Sequence, residues 1–329
     1  MPAQGPDPDG QPEPRAGAEA PRRDRSDGGS AGSPSLDQVR GLEVEETSSI
    51  RTTGRGAADD SRPDAGAESG EDSSADRPAE TTRFTPREYV VRVHELVYDD
   101  PVAAGDRVGD LLVIAKQGDA DLRETAGETL AWLGERRPAE FEVWADDLAA
   151  FAAEPDPELA YLGLRALAQL APYHERAARK GLEPAVRRID AGHEGLRVAS
   201  LALVAEVGDA VADELGDADR PIAAATNAEA PRVRTAAAIA AGNLLAAAPG
   251  RFPRTSMALL DALEDPHEEV RTYAHVALIS FATEHPSTVP EKETALAALE
   301  EVTDAELGLR DGAVAEAQNA LLRVRAGYP

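Results

Sequence analysis

Beyond Phe84, apolar side chains recur at intervals of three and four, and no stretch alternates apolar and polar residues with period two. The pattern therefore predicts helices and no sheet. One anchor position repeats along the chain: Leu122, Leu159, Leu196, Val233 and Val270 stand 37 residues apart. Four positions after each anchor comes a small residue (Ala126, Gly163, Ser200, Ala237, Ala274), and eleven after comes a larger apolar one (Leu133, Leu170, Val207, Leu244, Phe281). These offsets fall on one stripe of an α-helix, and a small residue inside a stripe lets a neighbouring helix approach closely. A fixed period of this length is the mark of stacked repeats.

Prolines keep the same register. Pro138, Pro249 and Pro286 follow their anchors by sixteen positions, Pro253 and Pro290 by twenty, and Pro184 and Pro221 by twenty-five. Proline is tolerated in a first helical turn and breaks a helix interior, so these positions mark the breaks and starts of a second helix in each repeat. That helix has its own apolar stripe, as in Phe141, Trp144, Leu148 and Phe151, or Leu259, Leu260 and Leu263. After Val207 it should be short or broken, because Gly208, Gly216 and Pro221 interrupt it. Residues Arg87 to Val97 predict a capping helix, and the last repeat is slipped, with Ala313, Ala317, Ala320, Leu321 and Val324 carrying the stripe 43 residues after Val270.

The segments starting at Asp119 (DADLRETAGETLAWL), Asp156 (DPELAYLGLRALAQL), Ala230 (APRVRTAAAIAAGNLL) and Asp265 (DPHEEVRTYAHVALISF) resemble the HEAT-repeat signature: an Asp/Pro turn, a Val-Arg helix opening and an Ala-rich helix. Arg123, Arg197, Arg234 and Arg271 hold the Val-Arg position, and Ala160 departs from it. The resemblance covers residues 85–329. It implies an all-α, right-handed HEAT-type α-solenoid of about six helix pairs with an N-terminal cap helix, whose Val-Arg helices line a concave face. The repeated arginines are expected to pair with the turn aspartates Asp119, Asp156 and Asp265.

Residues 1–83 break the pattern. They contain no Phe, Tyr or Trp and are rich in Gly, Pro, Ser and acidic residues. Such a segment cannot bury enough surface to offset its ordering entropy and is expected to be a disordered acidic tail. Within it, Ser35 to Ile50 is slightly more apolar but reads as tail. Residues 84–329 form the folded unit.

Charge narrows the function. The chain has 61 acidic against 34 basic residues, a net charge of −27, and only three lysines (Lys116, Lys180, Lys292). Phosphate backbones are repelled by such a surface, so no nucleic-acid partner is expected, and a DNA-binding solenoid of the alkylation-repair glycosylase kind is opposed. The composition resembles that of cytoplasmic proteins of extremely halophilic archaea. The first residues have neither a cationic start nor an apolar stretch, and no run approaches about 18 apolar residues, so no secretory signal and no membrane span is expected. The expectation is a cytoplasmic monomer. Without a cysteine there is no disulfide, thiolate nucleophile or zinc–thiolate site.

Catalytic candidates are weak. Gly28 to Gly32 (GGSAG) matches a hydrolase nucleophile elbow as a string, but such an elbow needs a strand-to-helix turn. Four histidines precede a glutamate: His94-Glu95, His174-Glu175, His193-Glu194 and His267-Glu268. These pairs resemble the di-iron ligands of deoxyhypusine hydroxylase, itself a HEAT-repeat enzyme. The register opposes a shared centre, since His193 and His267 each lie three before an anchor, two repeats apart, and turns so placed should be about 20 Å from each other. A turn histidine followed by a glutamate at a helix N-terminus explains both without metal. HEAT-like repeats also occur in phycobilin lyases, with no chromophore site evident here. No catalytic residue, metal or cofactor is expected.

The expected function is that of a non-enzymatic scaffold or adaptor binding a protein or peptide. Offsets two, six and ten from each anchor predict the binding face: Glu124, Glu128 and Trp132; Tyr161, Arg165 and Gln169; Val198, Ala202 and Glu206; Thr235, Ile239 and Asn243; Thr272, Val276 and Ser280. Trp132, Tyr161, Arg165, Gln169, Glu206, Asn243 and Ser280 are the partner-binding candidates, aromatic anchors being enriched in binding hot spots. Packing of Trp132 and Tyr161 between adjacent repeats is the equal alternative.

Overall fold

A computed structural model describes residues 85–328. The acidic tail, its Ser35–Ile50 stretch and the GGSAG string lie outside the described residues. Among the described residues there are fourteen α-helices and no strand. A capping helix, α1 (Pro86–Asp99), opens the fold, held by a reciprocal cap in which Glu88 N donates to Thr85 Oγ1 and Thr85 N donates to the Glu88 carboxylate. A short α2 (Pro101–Gly105) leads into six helix pairs.

The pairs are α3 (Val108–Gln117) with α4 (Ala120–Arg136), α5 (Ala145–Ala153) with α6 (Pro157–Ala178), and α7 (Leu182–Arg188) with α8 (Glu194–Val207). They continue with α9 (Asp219–Ala225) and α10 (Pro231–Ala247), α11 (Pro253–Ala262) and α12 (Glu268–Glu284), and α13 (Lys292–Glu300) and α14 (Ala313–Arg325). The anchor helices stack in sequence, α4 on α6, α6 on α8, α8 on α10, α10 on α12 and α12 on α14. This is the helical-repeat solenoid that the 37-residue period predicts.

The stripes account for the core. The small residues at offset four and the large ones at offset eleven are all buried, with Leu133, Leu170, Val207 and Leu244 fully enclosed. Gly163 shows why small residues are needed there: a Cβ would lie 2.4 Å from the Leu148 carbonyl oxygen and 2.6 Å from Ala152 N, so the backbones of α5 and α6 touch. The prolines fall as expected, with Pro253 in the first turn of α11 and Pro138 opening a 3-10 turn. The segment after Val207 is two short 3-10 turns before α9, as Gly208 and Gly216 foretell.

The arginine pairing differs in one respect. Arg123 and Arg234 reach forward, Arg123 Nη1 donating to Asp156 at 2.7 Å and Arg234 donating to both oxygens of Asp265 at 2.6 and 2.9 Å. Each therefore ties its helix to the turn that opens the next repeat. Arg197 and Arg271 bond backbone carbonyls instead, those of Ile189 and of Asp265 and Pro266. Asp119 caps α4 through Leu122 N.

Candidate functional site

A groove of about 390 Å³ lies between α4 and α6. Its α4 wall repeats at helical spacing through Ala120, Glu124, Gly127, Glu128 and Ala131, and its α6 wall carries Glu158, Leu159, Tyr161, Leu162 and Arg165. Ala115 of α3 and His193, the N-cap of α8, complete the lining. The result is an apolar floor of alanine and leucine beneath a rim of carboxylates.

Both arginines of the groove are engaged. Arg123 is paired with Asp156, and Arg165 donates to Glu135 at 2.9 Å and to the Tyr161 hydroxyl at 3.4 Å. By contrast, Glu124, Glu128 and Glu158 make no ion pair among the described residues. The groove thus holds three uncompensated negative charges.

Gly127 stands out within the wall. A Cβ added at Gly109, Gly134, Gly163 or Gly242 would collide with a neighbour, whereas at Gly127 it would meet nothing within 4 Å. Mid-helix glycine costs about 1 kcal/mol relative to alanine. Packing explains the other four glycines; at Gly127 the missing side chain leaves open space in the groove.

Trp132 sits one turn beyond Glu128 and is 41% exposed. Its ring lies 5.9 Å from that of Tyr98 on α1, and the Arg136 guanidinium covers both rings, 4.8 Å from Tyr98 and 5.3 Å from Trp132. Trp132 therefore leans on the capping helix and still presents surface beside the groove. Tyr161 is half-buried, packing on the core while it lines the groove.

The rest of the expected face is less open than its offsets suggest. Gln169 is only 2% exposed, with both atoms of its amide unpartnered, and it fits because Gly134 has no Cβ, which would stand 2.1 Å from Gln169 Oε1. Asn243 is buried and its Nδ2 donates to the Ala205 carbonyl at 2.8 Å, tying α10 to α8. Glu206 and Ser280 are half-buried, and Val198, Ala202, Thr235, Ile239 and Val276 are buried. The reason is close packing: the seams of α8, α10 and α12 are lined by alanine and glycine, as where Gly242 meets Ala277, so flanking helices cover this face. Of the residues on the offset face, Glu124, Glu128, Tyr161 and Arg165 line this groove; Gly127 and Glu158, which also line it, and Tyr98, which packs against Trp132, are not on that face. The one sequence signal for Gly127 is a helix-interior glycine beside, not on, the packing stripe.

The His-Glu steps stay apart. His193 and His267 are N-cap residues of α8 and α12, and His193 Nδ1 accepts from Leu196 N. His94 Nδ1 lies 3.2 Å from Thr129 Oγ1, and His174 lies 3.1 Å from Glu142 at a kink in α6 beyond Pro172. Among the described residues no three His, Asp or Glu side chains gather as ligands for a metal, and no helix is long and apolar enough to cross a membrane.

No protein-family model and no curated protein matches this sequence. Solved structures do resemble the fold. An engineered protein matches with a TM-score of 0.59 at 18% identity, over 75% of this chain and 66% of its own. A designed armadillo repeat protein matches with a TM-score of 0.55 at 18% identity, over 64% of this chain and 98% of its own. A second, in complex with the peptide (KR)4, matches with a TM-score of 0.53 at 17% identity, over 64% and 98%. The likeness is one of fold: an armadillo-like stack of helical repeats.

Proposed function

We propose that this chain is a binding scaffold without chemistry of its own, which holds a segment of a partner protein in the groove between α4 and α6. The open space above Gly127 carries the reading: a vacancy kept within a helix wall, with an apolar floor and an unpaired charged rim, suits an occupant from outside. One structural neighbour was solved with a peptide, which supports a peptide as the kind of partner. The Asp/Pro turns and Val-Arg openings favour the HEAT class among helical repeats, and the acidic composition favours a monomer working in a salt-rich cytoplasm.

Filling the vacancy tests the reading. Leucine at position 127 has room, and it is a better helix former than glycine by about 0.5–1 kcal/mol. Gly127→Leu should therefore keep helicity and thermal midpoint while blocking the groove. Peptides selected from a displayed random library on the full chain should include binders that lose about tenfold or more on Gly127→Leu, a loss of about 1.4 kcal/mol. If every selected peptide binds the variant as well as the wild type, the groove is not the binding site.

A further inference from the structure

The rim charges and the apolar floor together specify what kind of side chain the vacancy accepts. Resting on the reading of the groove as a peptide site, we propose that the space above Gly127 is a subsite for one arginine or lysine of the partner. Its aliphatic stem lies on Gly127, Ala131 and Leu162, and its cationic head lies among Glu124, Glu128 and Glu158.

Glu124 and Glu128 are one turn apart on α4, which places their Cβ atoms about 5–6 Å from each other. Glu158 lines the same groove from α6. A purely apolar side chain would fill the floor, but the partner's backbone would then desolvate three carboxylates with nothing to compensate them. An acidic one would add repulsion. A long side chain with an apolar body and a charged tip satisfies both layers at once. The cations already in the groove cannot serve, because Arg123 is bound to Asp156 and Arg165 to Glu135. A bare divalent ion is the wrong occupant for a floor without oxygen atoms, since calcium takes six to eight oxygen ligands. The lined part of α4, from Ala120 to Ala131, is about 16 Å long at 1.5 Å per residue, room for about five residues of an extended peptide.

The test uses the full-length protein and the library-selected peptides that Gly127→Leu blocks. These should carry a lysine or arginine next to an apolar residue. Replacing that cation by norleucine, which keeps the stem and removes the charge, should weaken binding about tenfold or more, as for loss of a charge-assisted contact. The paired substitution Glu124→Gln with Glu128→Gln removes a like-charge pair from one helix face and should leave the fold intact. It should lower the affinity of the cationic peptide and, because two carboxylates no longer have to be desolvated, leave the norleucine peptide bound as well as before or better. Blocked peptides without lysine or arginine, or a cationic peptide indifferent to the two glutamines, would overturn the subsite while the groove stands. Failure of Gly127→Leu to block any peptide would remove both.

Discussion

Gly127 and Gly134 lie seven residues apart on α4, and their opposite surroundings make a direct comparison. At Gly134 a methyl group would be driven into the Gln169 amide, whereas at Gly127 it would enter open space. Gly127→Ala should therefore stabilise the fold by about 1 kcal/mol, the helix-propensity difference. Gly134→Ala should destabilise it by about 1–3 kcal/mol, the usual cost of overpacking. Urea denaturation of the two variants checks both signs, and destabilisation by Gly127→Ala would mean that the space is not open. The sequence cannot separate these glycines, because their difference lies in what the next helix places opposite them. For the same reason Gln169 and Trp132, both at offset ten, end in opposite states: one is enclosed against Gly134 and the other is exposed beside Tyr98. Angular position on a helix says which way a residue points. How closely the neighbour approaches decides whether it is covered.

At the scale of elements, the anchor helices are legible because each stripe repeats its own small and large positions, and five copies in register outweigh the weakness of any one. The joints between repeats are less legible. Asp156 and Asp265 read as turn residues, but their bonds to arginines 33 and 31 residues earlier depend on the stacking itself. These two joints differ in burial. The side chains of Arg234 and Asp265 are 12% and 8% exposed, while those of Arg123 and Asp156 are 31% and 32% exposed. Breaking a buried pair costs about 3–5 kcal/mol and losing an exposed one about 1 kcal/mol or less. Asp265→Asn should consequently destabilise far more than Asp156→Asn at neutral pH. Burial pushes the Asp265 carboxyl up, but bonds from Arg234 and the His267 amide, with the charge of Arg234, hold it below the usual carboxylate range. A carboxyl depressed on folding contributes stability that is complete above its unfolded value of about 3.9 and is lost as pH falls through its lower folded value. The gap between wild type and Asp265→Asn should thus be widest near neutral pH and close below about pH 4. A gap that stays constant across the acid limb would show that the ionised pair is not what joins α10 to the turn before α12.

For the molecule as a whole, charge acts on stability and on binding with opposite signs. Attraction between ion pairs and repulsion among the excess of 61 acidic over 34 basic residues are both screened by salt, through a Debye length that falls from about 10 Å at 0.1 M to about 3 Å at 1 M. Many of the bridges are solvent-exposed, such as Arg187 with Glu183 and Arg251 with Asp213, and each contributes about 1 kcal/mol or less. The repulsion runs over the whole acidic surface, so its relief should dominate and the thermal midpoint should climb between those two concentrations. Sodium chloride compared with an uncharged osmolyte at equal osmolality separates screening from exclusion of solute from the surface. A cationic peptide in the groove should respond in the other direction, weakening as its attraction to Glu124, Glu128 and Glu158 is screened. Titrations at 1 M sodium chloride should therefore find a more stable fold and a cationic peptide held more by the apolar floor than by the rim. A thermal midpoint that stays flat from 0.1 to 1 M sodium chloride would show that self-repulsion does not limit this fold and would remove the physical ground for a high-salt origin.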